Sequence, residues 1–322
     1  VILCIGNALV DLFAQGEEQF VLRHGISRQV QHIEIEKLKA IISELPEAAM
    51  VSGGGAANVA KIASLLGAKA YFAGALGNDQ YGQVFEKELG AAGVKLRLSL
   101  KPSPTGLCLY FKAAGKTYIA ASPSAALELS ENDINGEDIQ KAAFVVIDGF
   151  MLPRPDLVKH ILQLAEKYEK VAALDLSSVF IARDYAAEIL DYAKRYPLIL
   201  FMNEAETIAF NEGLEERSLA PIVPDINSVN SASSARIIPE PGVPIIVVKL
   251  GSKGALCFSG GEIHRAETQA VEPLENTGAG DAFCAGFLFA YLQGKGLDEC
   301  AALGNRTAAG VLNVTGTKLT RI

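Results

Sequence analysis

The 322-residue chain has no tryptophan and three methionines, and its five cysteines are odd in number, scattered and without a C-x-x-C pair. That usage argues against a disulfide framework or a zinc site. It points to reduced, buried thiols (Cys4, Cys108, Cys257, Cys284 and Cys300) in a cytoplasmic protein. No apolar run approaches the roughly 18 residues that suggest a membrane span. Residues 1–5 are too short a run for a secretory signal. Positive charge is not in excess either: 29 basic against 37 acidic residues leave −8, with no basic stripe for nucleic acid. The first apolar run is followed by Gly6-Asn7-Ala8, not by G-x-G-x-x-G, so the dinucleotide fingerprint is missing. An acidic protein that handles phosphate must do so locally, with backbone dipoles, a metal and a few cations.

What is present is a strand–helix rhythm. Half the residues are apolar and a fifth are charged, an ordinary globular balance, and thirty glycines mark many tight turns. The length suits one large α/β domain over 1–322, with or without a small appendage. Short apolar runs predict strands over 1–5, 68–75, 144–147, 171–176, 198–202 and 244–250. Helical spacing predicts helices over 33–45, 56–66, 81–89, 156–168, 185–196, 279–292 and 297–314. This alternation implies parallel β-α-β units in a layered α/β fold. Residues 251–265 read as a hairpin. So do 105–111 and 116–121, which flank Ala113-Ala114-Gly115. No helix separates that second pair, so it is expected to leave the main sheet. With segments near 12–16 and 49–52, residues 105–122 would form a small lid sheet, with Leu107, Leu109, Phe111 and Ile119 as its apolar face. Residues 214–243, rich in Ser, Pro and Asn, read as a mobile surface insertion.

The strongest chemical signal is Glu275-Asn276-Thr277-Gly278-Ala279-Gly280-Asp281 before an apolar helix. Small residues at 278–280 bare the backbone N–H groups, and the helix points its unpaired donors and positive dipole end at the same spot. That makes a site for a phosphate oxygen or a developing negative charge. Taken alone, Asp281 reads first as a helix-capping acid and second as a catalytic group.

Three blocks, in order, make the whole chain resemble the ribokinase (PfkB) family of carbohydrate and nucleoside kinases. They are Gly53-Gly54-Gly55-Ala56-Ala57-Asn58-Val59-Ala60 with Gly67 and Gly77, the N-x-x-E block Asn203 to Glu206, and Thr277 to Asp281 with its helix. The fold implied is a three-layer α-β-α core with a mostly parallel sheet and a β-sheet lid. The activity implied is phosphorylation of a sugar or ribonucleoside hydroxyl, a primary one, by ATP. Gly6 to Asp11, Asp175 to Ile181 and Leu200 to Glu204 are similar to the adenosine-kinase-like branch.

The resemblance also implies roles. Asp281 is the base, and the N–H groups of Gly278, Ala279 and Gly280 steady the phosphoryl charge. Asn203 and Glu206 organise Mg²⁺ through water, although a helix start with a capping acid explains both equally on local sequence. Thr277, Asn203, Lys249, Gly251, Ser252, Gly254 and Asn305 flank the nucleotide; a solvent-facing side chain is the alternative for Asn305. Asn7, Asp11, Gly53, Gly54 and Asn58 form the acceptor pocket, where a turn aspartate and a helix-breaking glycine run are the plainer readings. Lys116 reads as a solvated turn lysine before it reads as a phosphate contact. Glu275 and Asn276 replace the family's usual aspartate and threonine, which bears on a K⁺ site near this loop. A monomer and a lid-mediated homodimer are both compatible with the resemblance. The rival function is a non-catalytic paralogue that senses sugar or nucleotide, against which the presence of Asp281 argues.

Overall fold

A computed structural model describes residues 1–26, 31–45, 48–220, 223, 241–268 and 278–312. The chain enters through β1 (Ile2–Ile5) and passes straight into β2 (Leu9–Gln15). Then follow α1 (Glu18–His24), β3 (Gln31–His32), α2 (Ile35–Ser43) and β4 (Ala49–Gly53). The α/β rhythm begins with α3 (Gly55–Leu65), β5 (Ala70–Gly77), α4 (Gln80–Ala91) and β6 (Lys95–Lys101). A hairpin of β7 (Gly106–Ala113) and β8 (Lys116–Ser122) interrupts it. It resumes with α5 (Gly136–Lys141), β9 (Phe144–Asp148), α6 (Pro155–Lys167), β10 (Val171–Asp175), α7 (Val179–Asp184) and α8 (Ala186–Arg195). Next come β11 (Leu198–Asn203), α9 (Glu204–Glu215), β12 (Ile245–Lys249), β13 (Ala255–Ser259) and β14 (Glu262–Ala266). Two packed helices, α10 (Ala279–Leu292) and α11 (Leu297–Val311), follow.

The large sheet has nine strands in the order β14-β13-β12-β11-β10-β9-β1-β5-β6. All pairs from β12 to β6 are parallel, and β13 and β14 add an antiparallel edge. Both faces are covered, which is why its central strands are continuous apolar runs. Successive side chains of β1 alternate between the two layers. Ile2 and Cys4 join the core with α3, α10 and α11, whereas Leu3 and Ile5 join the core with α6, α8 and α9. On α6 the buried stripe Leu157, Val158, Ile161, Leu162 and Ala165 follows the helical period. Each such leucine buried contributes about 2 kcal/mol.

The second sheet has five strands in the order β3-β8-β7-β2-β4. Ala114 (φ 49°) and Gly115 (φ 71°) make the tight turn between β7 and β8. Register decides its faces. Val10, Leu12 and Ala14 pair with Leu107, Leu109 and Phe111 and face the core. Asp11 pairs with Cys108, and Tyr110 with Ile119, on the opposite face. Ile119 is therefore not on the apolar face with the other three, and it lines the cleft between the sheets. That apolar face is also covered within the chain. Phe20 of α1 stacks on Phe111 at 5.0 Å, and Leu38 and Ile41 of α2 are buried in the same cluster.

Several elements differ from expectation. β6 carries leucines alternating with charged residues and forms the half-buried edge of the large sheet. β3 joins β8 over two residues. The segment read as a surface insertion begins as the last turn of α9. Within it, 221–222 and 224–240 lie outside the described residues, as do 313–314 of the last expected helix. Among the described residues no helix is long and apolar enough to cross a membrane.

Candidate active site

Four neighbouring parallel strands end in polar residues at one edge of the large sheet: Asp148 on β9, Asp175 on β10, Asn203 on β11 and Lys249 on β12. Their registers align Asp148 with Asp175 and Asn203 with Lys249. The carboxyl end of a parallel sheet is where such folds hold ligands. Here it opens into a cleft of about 1620 Å³ whose other wall is the second sheet.

α10 starts in that cleft. Gly278 precedes it at φ 80°, a left-handed conformation suited to glycine, and Ala279 and Gly280 form the first turn. Asp281 follows in the same turn and lines the cleft. Its side chain does not cap α10: Asn58 Nδ2, on α3, donates to Asp281 Oδ2 at 2.8 Å. The capping role favoured by the local sequence thus gives way to a contact between distant helices. Burial first, and the Asp175 charge second, push the Asp281 carboxyl up to about 7; Asn58 and Lys249 pull the other way.

Gly55 leaves room between two acids. A Cβ there would sit 3.3 Å from Asp148 Oδ2 and 3.4 Å from Asp281 Oδ1. Asp148 accepts from the Phe150 N–H at 2.9 Å, and burial raises its carboxyl. Lys249 Nζ donates to both oxygens of Asp175, at 2.9 and 2.8 Å, and Cys284 Sγ meets Asp175 Oδ2 at 3.1 Å. Burial works against the Lys249 ammonium, but the Asp175 carboxylate beside it outweighs burial and keeps it protonated.

Asn203 and Glu206 form a reciprocal cap on α9. Glu206 Oε2 accepts from the Asn203 N–H and Asn203 Oδ1 accepts from the Glu206 N–H, both at 2.8 Å. The plainer local reading is therefore present. Glu206 is nevertheless buried on the cleft wall, and its carboxyl is raised by burial and by Asp175. Gly251 (φ 58°), Ser252 and Gly254 (φ 91°) turn at the end of β12 and line the same wall. Asn305 is 7% exposed, not solvent-facing. Its amide donates to the Ala266 and Glu267 carbonyls at 3.2 and 3.4 Å, tying α11 to the end of β14.

The opposite end is built differently. Asp11, on β2, is buried beside Cys108 and Tyr110. The Asp11 charge, then burial, hold the Tyr110 hydroxyl well above its usual value. Gly53 lies behind Asp11 and does not line the cleft; a Cβ there would come within 2.2 Å of the carboxyl. Gly54, at φ 97°, would put a Cβ 2.1 Å from the Asn7 carbonyl oxygen. Asn7 Oδ1 accepts from Arg154 Nη2 at 2.7 Å. Phe150 and Phe180, their ring centroids 5.9 Å apart, also line the cleft. Lys116 sits at the start of β8 and pairs with Glu18 at 3.3 Å.

Asp148, Arg154 and Tyr110 were not foreseen. The signal for Asp148 was present, since an acid that closes an apolar strand such as Phe144–Asp148 must face partners. Arg154 precedes a helix and carries no local signal. Thr277, Glu275 and Asn276 lie outside the described residues. Among the described residues no three acidic, histidine or cysteine side chains converge to hold a metal directly.

Known proteins resemble this chain in sequence and fold. The chain is 27% identical to adenosine kinase 1 of Arabidopsis thaliana over 94% of this chain and 91% of that one. A crystal structure of adenosine kinase from Sinorhizobium meliloti is 26% identical and superposes with a TM-score of 0.79, covering 97% of this chain and 93% of that one. A probable sugar kinase from Rhizobium etli is 24% identical and shares the fold, at a TM-score of 0.82 over 99% and 95%. Residues 26–321 match the family described as pfkB family carbohydrate kinase, and the chain belongs to that family.

Proposed function

We propose that this kinase transfers the γ-phosphoryl group of ATP to a primary hydroxyl of a sugar or ribonucleoside, with Asp281 as the general base. Kinases of this family use ATP as co-substrate, typically with Mg²⁺. One observation carries the reading: a buried carboxylate raised to about 7 stands in the first turn of α10, within the cleft. A base poised near the working pH accepts a proton most effectively. In the step proposed, the acceptor oxygen bonds to the γ-phosphorus as the bond to the β,γ-bridging oxygen breaks. ADP leaves, and the hydroxyl proton passes to Asp281. The N–H groups of Gly278, Ala279 and Gly280 meet the phosphoryl oxygens, so that positioning and charge stabilisation do most of the work.

Asn203, Lys249, Gly251, Ser252, Gly254, Thr277 and Asn305 are assigned to the nucleotide. Asn7, Asp11, Gly54 and Asn58 are assigned to the acceptor, with Gly53 making room for Asp11. Mg²⁺ fits the chemistry of this wall. Glu206 and Asn203 offer hard oxygens that already accept hydrogen bonds within the cap yet keep lone pairs, a set that holds the ion's water shell better than the ion itself. Bound there, the ion neutralises phosphate charge. The paired Phe150 and Phe180 favour an acceptor with a planar ring, and so a ribonucleoside over a free sugar. The test is ADP release from Mg-ATP over a panel of ribonucleosides and sugars, with and without K⁺. Release above the acceptor-free background with a ribonucleoside is expected. Background rates with every acceptor would sink the proposal, and activity with sugars alone would remove the nucleoside preference.

A further inference from the structure

We propose that the Lys249 ammonium contacts the terminal phosphoryl group of the nucleotide and stabilises it during transfer. The inference rests on the kinase reading above and assigns Lys249 a reacting partner in place of a general place beside the nucleotide.

Charge at the site sets the problem. Asp148, Asp175, Glu206 and Asp281 all line the strand-end wall, and Lys249 is the one lysine among the described residues there; the other lining lysine, Lys37, is exposed on α2. A triphosphate entering four carboxylates needs a protein cation besides its metal and the helix dipole. Lys249 is placed to be that cation. It leaves β12 at the carboxyl end of the sheet, and a Cβ on Gly280 would come within 3.3 Å of its Nζ. The ammonium therefore stands beside the same turn whose N–H groups open α10.

An ammonium has three donors. Two bonds reach the Asp175 oxygens, and no other acceptor for Lys249 occurs among the described residues. Asp175 is itself steadied by Cys284, whose thiol also meets Oδ2. The cation is thus held rigid with hydrogen-bonding capacity left over, so little reorganisation accompanies charge development. A purely structural ion pair accounts for the clamp. It accounts neither for the position of the pair on the cleft wall nor for the donor left over.

The experiment compares wild type with Lys249→Met and Lys249→Arg in the full chain, each checked for cooperative melting. Binding of the non-hydrolysable analogue Mg-AMPPNP and of Mg-ADP is measured by calorimetry, and ADP release is measured with adenosine as probe acceptor. Losing a charge-assisted contact to the terminal phosphoryl predicts that Lys249→Met weakens AMPPNP by about tenfold more than ADP. Turnover should fall by about 10²-fold, as for loss of an oxyanion donor. Lys249→Arg should keep most of the AMPPNP preference. Equal loss of both nucleotides would mean that Lys249 only supports the strand end, and an unchanged preference would mean that it touches no terminal phosphoryl; either overturns the inference and leaves the kinase reading standing. If wild type releases no ADP with any acceptor, the kinase reading falls, while the AMPPNP-to-ADP comparison still decides where Lys249 binds.

Discussion

The two ends of the cleft are made from different materials. At the phosphate end, charged and amide side chains close four adjacent parallel strands and face a helix N-terminus. On the proposed reading its function is electrostatic, and its groups are fixed by strands of the buried sheet and by the first turn of α10. At the proposed acceptor end, a small mixed sheet brings one buried acid and a tyrosine against a glycine run, and Phe150, just after β9, and Phe180, on α7, line the same cleft. On the same reading its function is shape, and Gly53 and Gly54 leave room that a Cβ would fill. The difference teaches where chemistry and selectivity reside: the first end should govern turnover and the second should govern which acceptor is taken.

Asp281→Asn breaks the phosphate end most severely. Turnover should fall by about 10³-fold or more while Mg-ATP affinity stays within a few-fold, because a base acts in the transition state. Turnover near wild type would take Asp281 out of the step. Asp11→Ala tests the other end. Steady-state kinetics should show the acceptor KM rising by about tenfold or more, as for a lost hydrogen bond to a charged group, with the ATP KM little changed. The reverse pattern would mean that the two ends are exchanged.

Stability sharpens the contrast. The Asp281 carboxyl is raised in the folded state to about 7 from an ordinary value near 3.8, so folding takes up a proton and stability falls as pH rises through that window. Asp281→Asn removes the penalty. Its unfolding free energy, from denaturant titration, should exceed that of wild type at pH 8 by on the order of a few kcal/mol, and the advantage should vanish by about pH 4. A constant difference across pH would deny the raised carboxyl. Lys116→Ala should do least. Its ion pair with Glu18 is more than a third exposed at each side chain, so denaturant unfolding should shift by less than about 0.5 kcal/mol and kinetic constants should hold. A large rise in the ATP KM would instead place Lys116 on the phosphates.

Much of this contrast was legible in the amino-acid order, for identifiable reasons. Buried parallel strands are continuous apolar runs, so β1, β9, β10, β11 and β12 announce themselves. The hairpin of β7 and β8 shows because no helix fits between its strands. β6 escaped because its leucines alternate with Lys95, Arg97, Ser99 and Lys101, the signature of a half-buried edge. At the site, Asp281 was found through its small-residue turn and through the two blocks that accompany it. Its bond to Asn58 spans 223 positions and has no local trace. Asp175 was read only as part of a branch resemblance, because its pairing with Lys249 depends on register across β10, β11 and β12. Ile119 was assigned to the wrong face because that face follows from pairing with Tyr110, and composition does not carry pairing.

The pH dependence of kcat/KM for the acceptor, measured from pH 5.5 to 8.5 with Mg²⁺ in excess, tests the central claim most directly. If Asp281 accepts the acceptor's proton, the constant must rise with pH as its buried carboxyl ionises, with a midpoint near the value of about 7 set by its surroundings. A profile flat across that range would contradict the account.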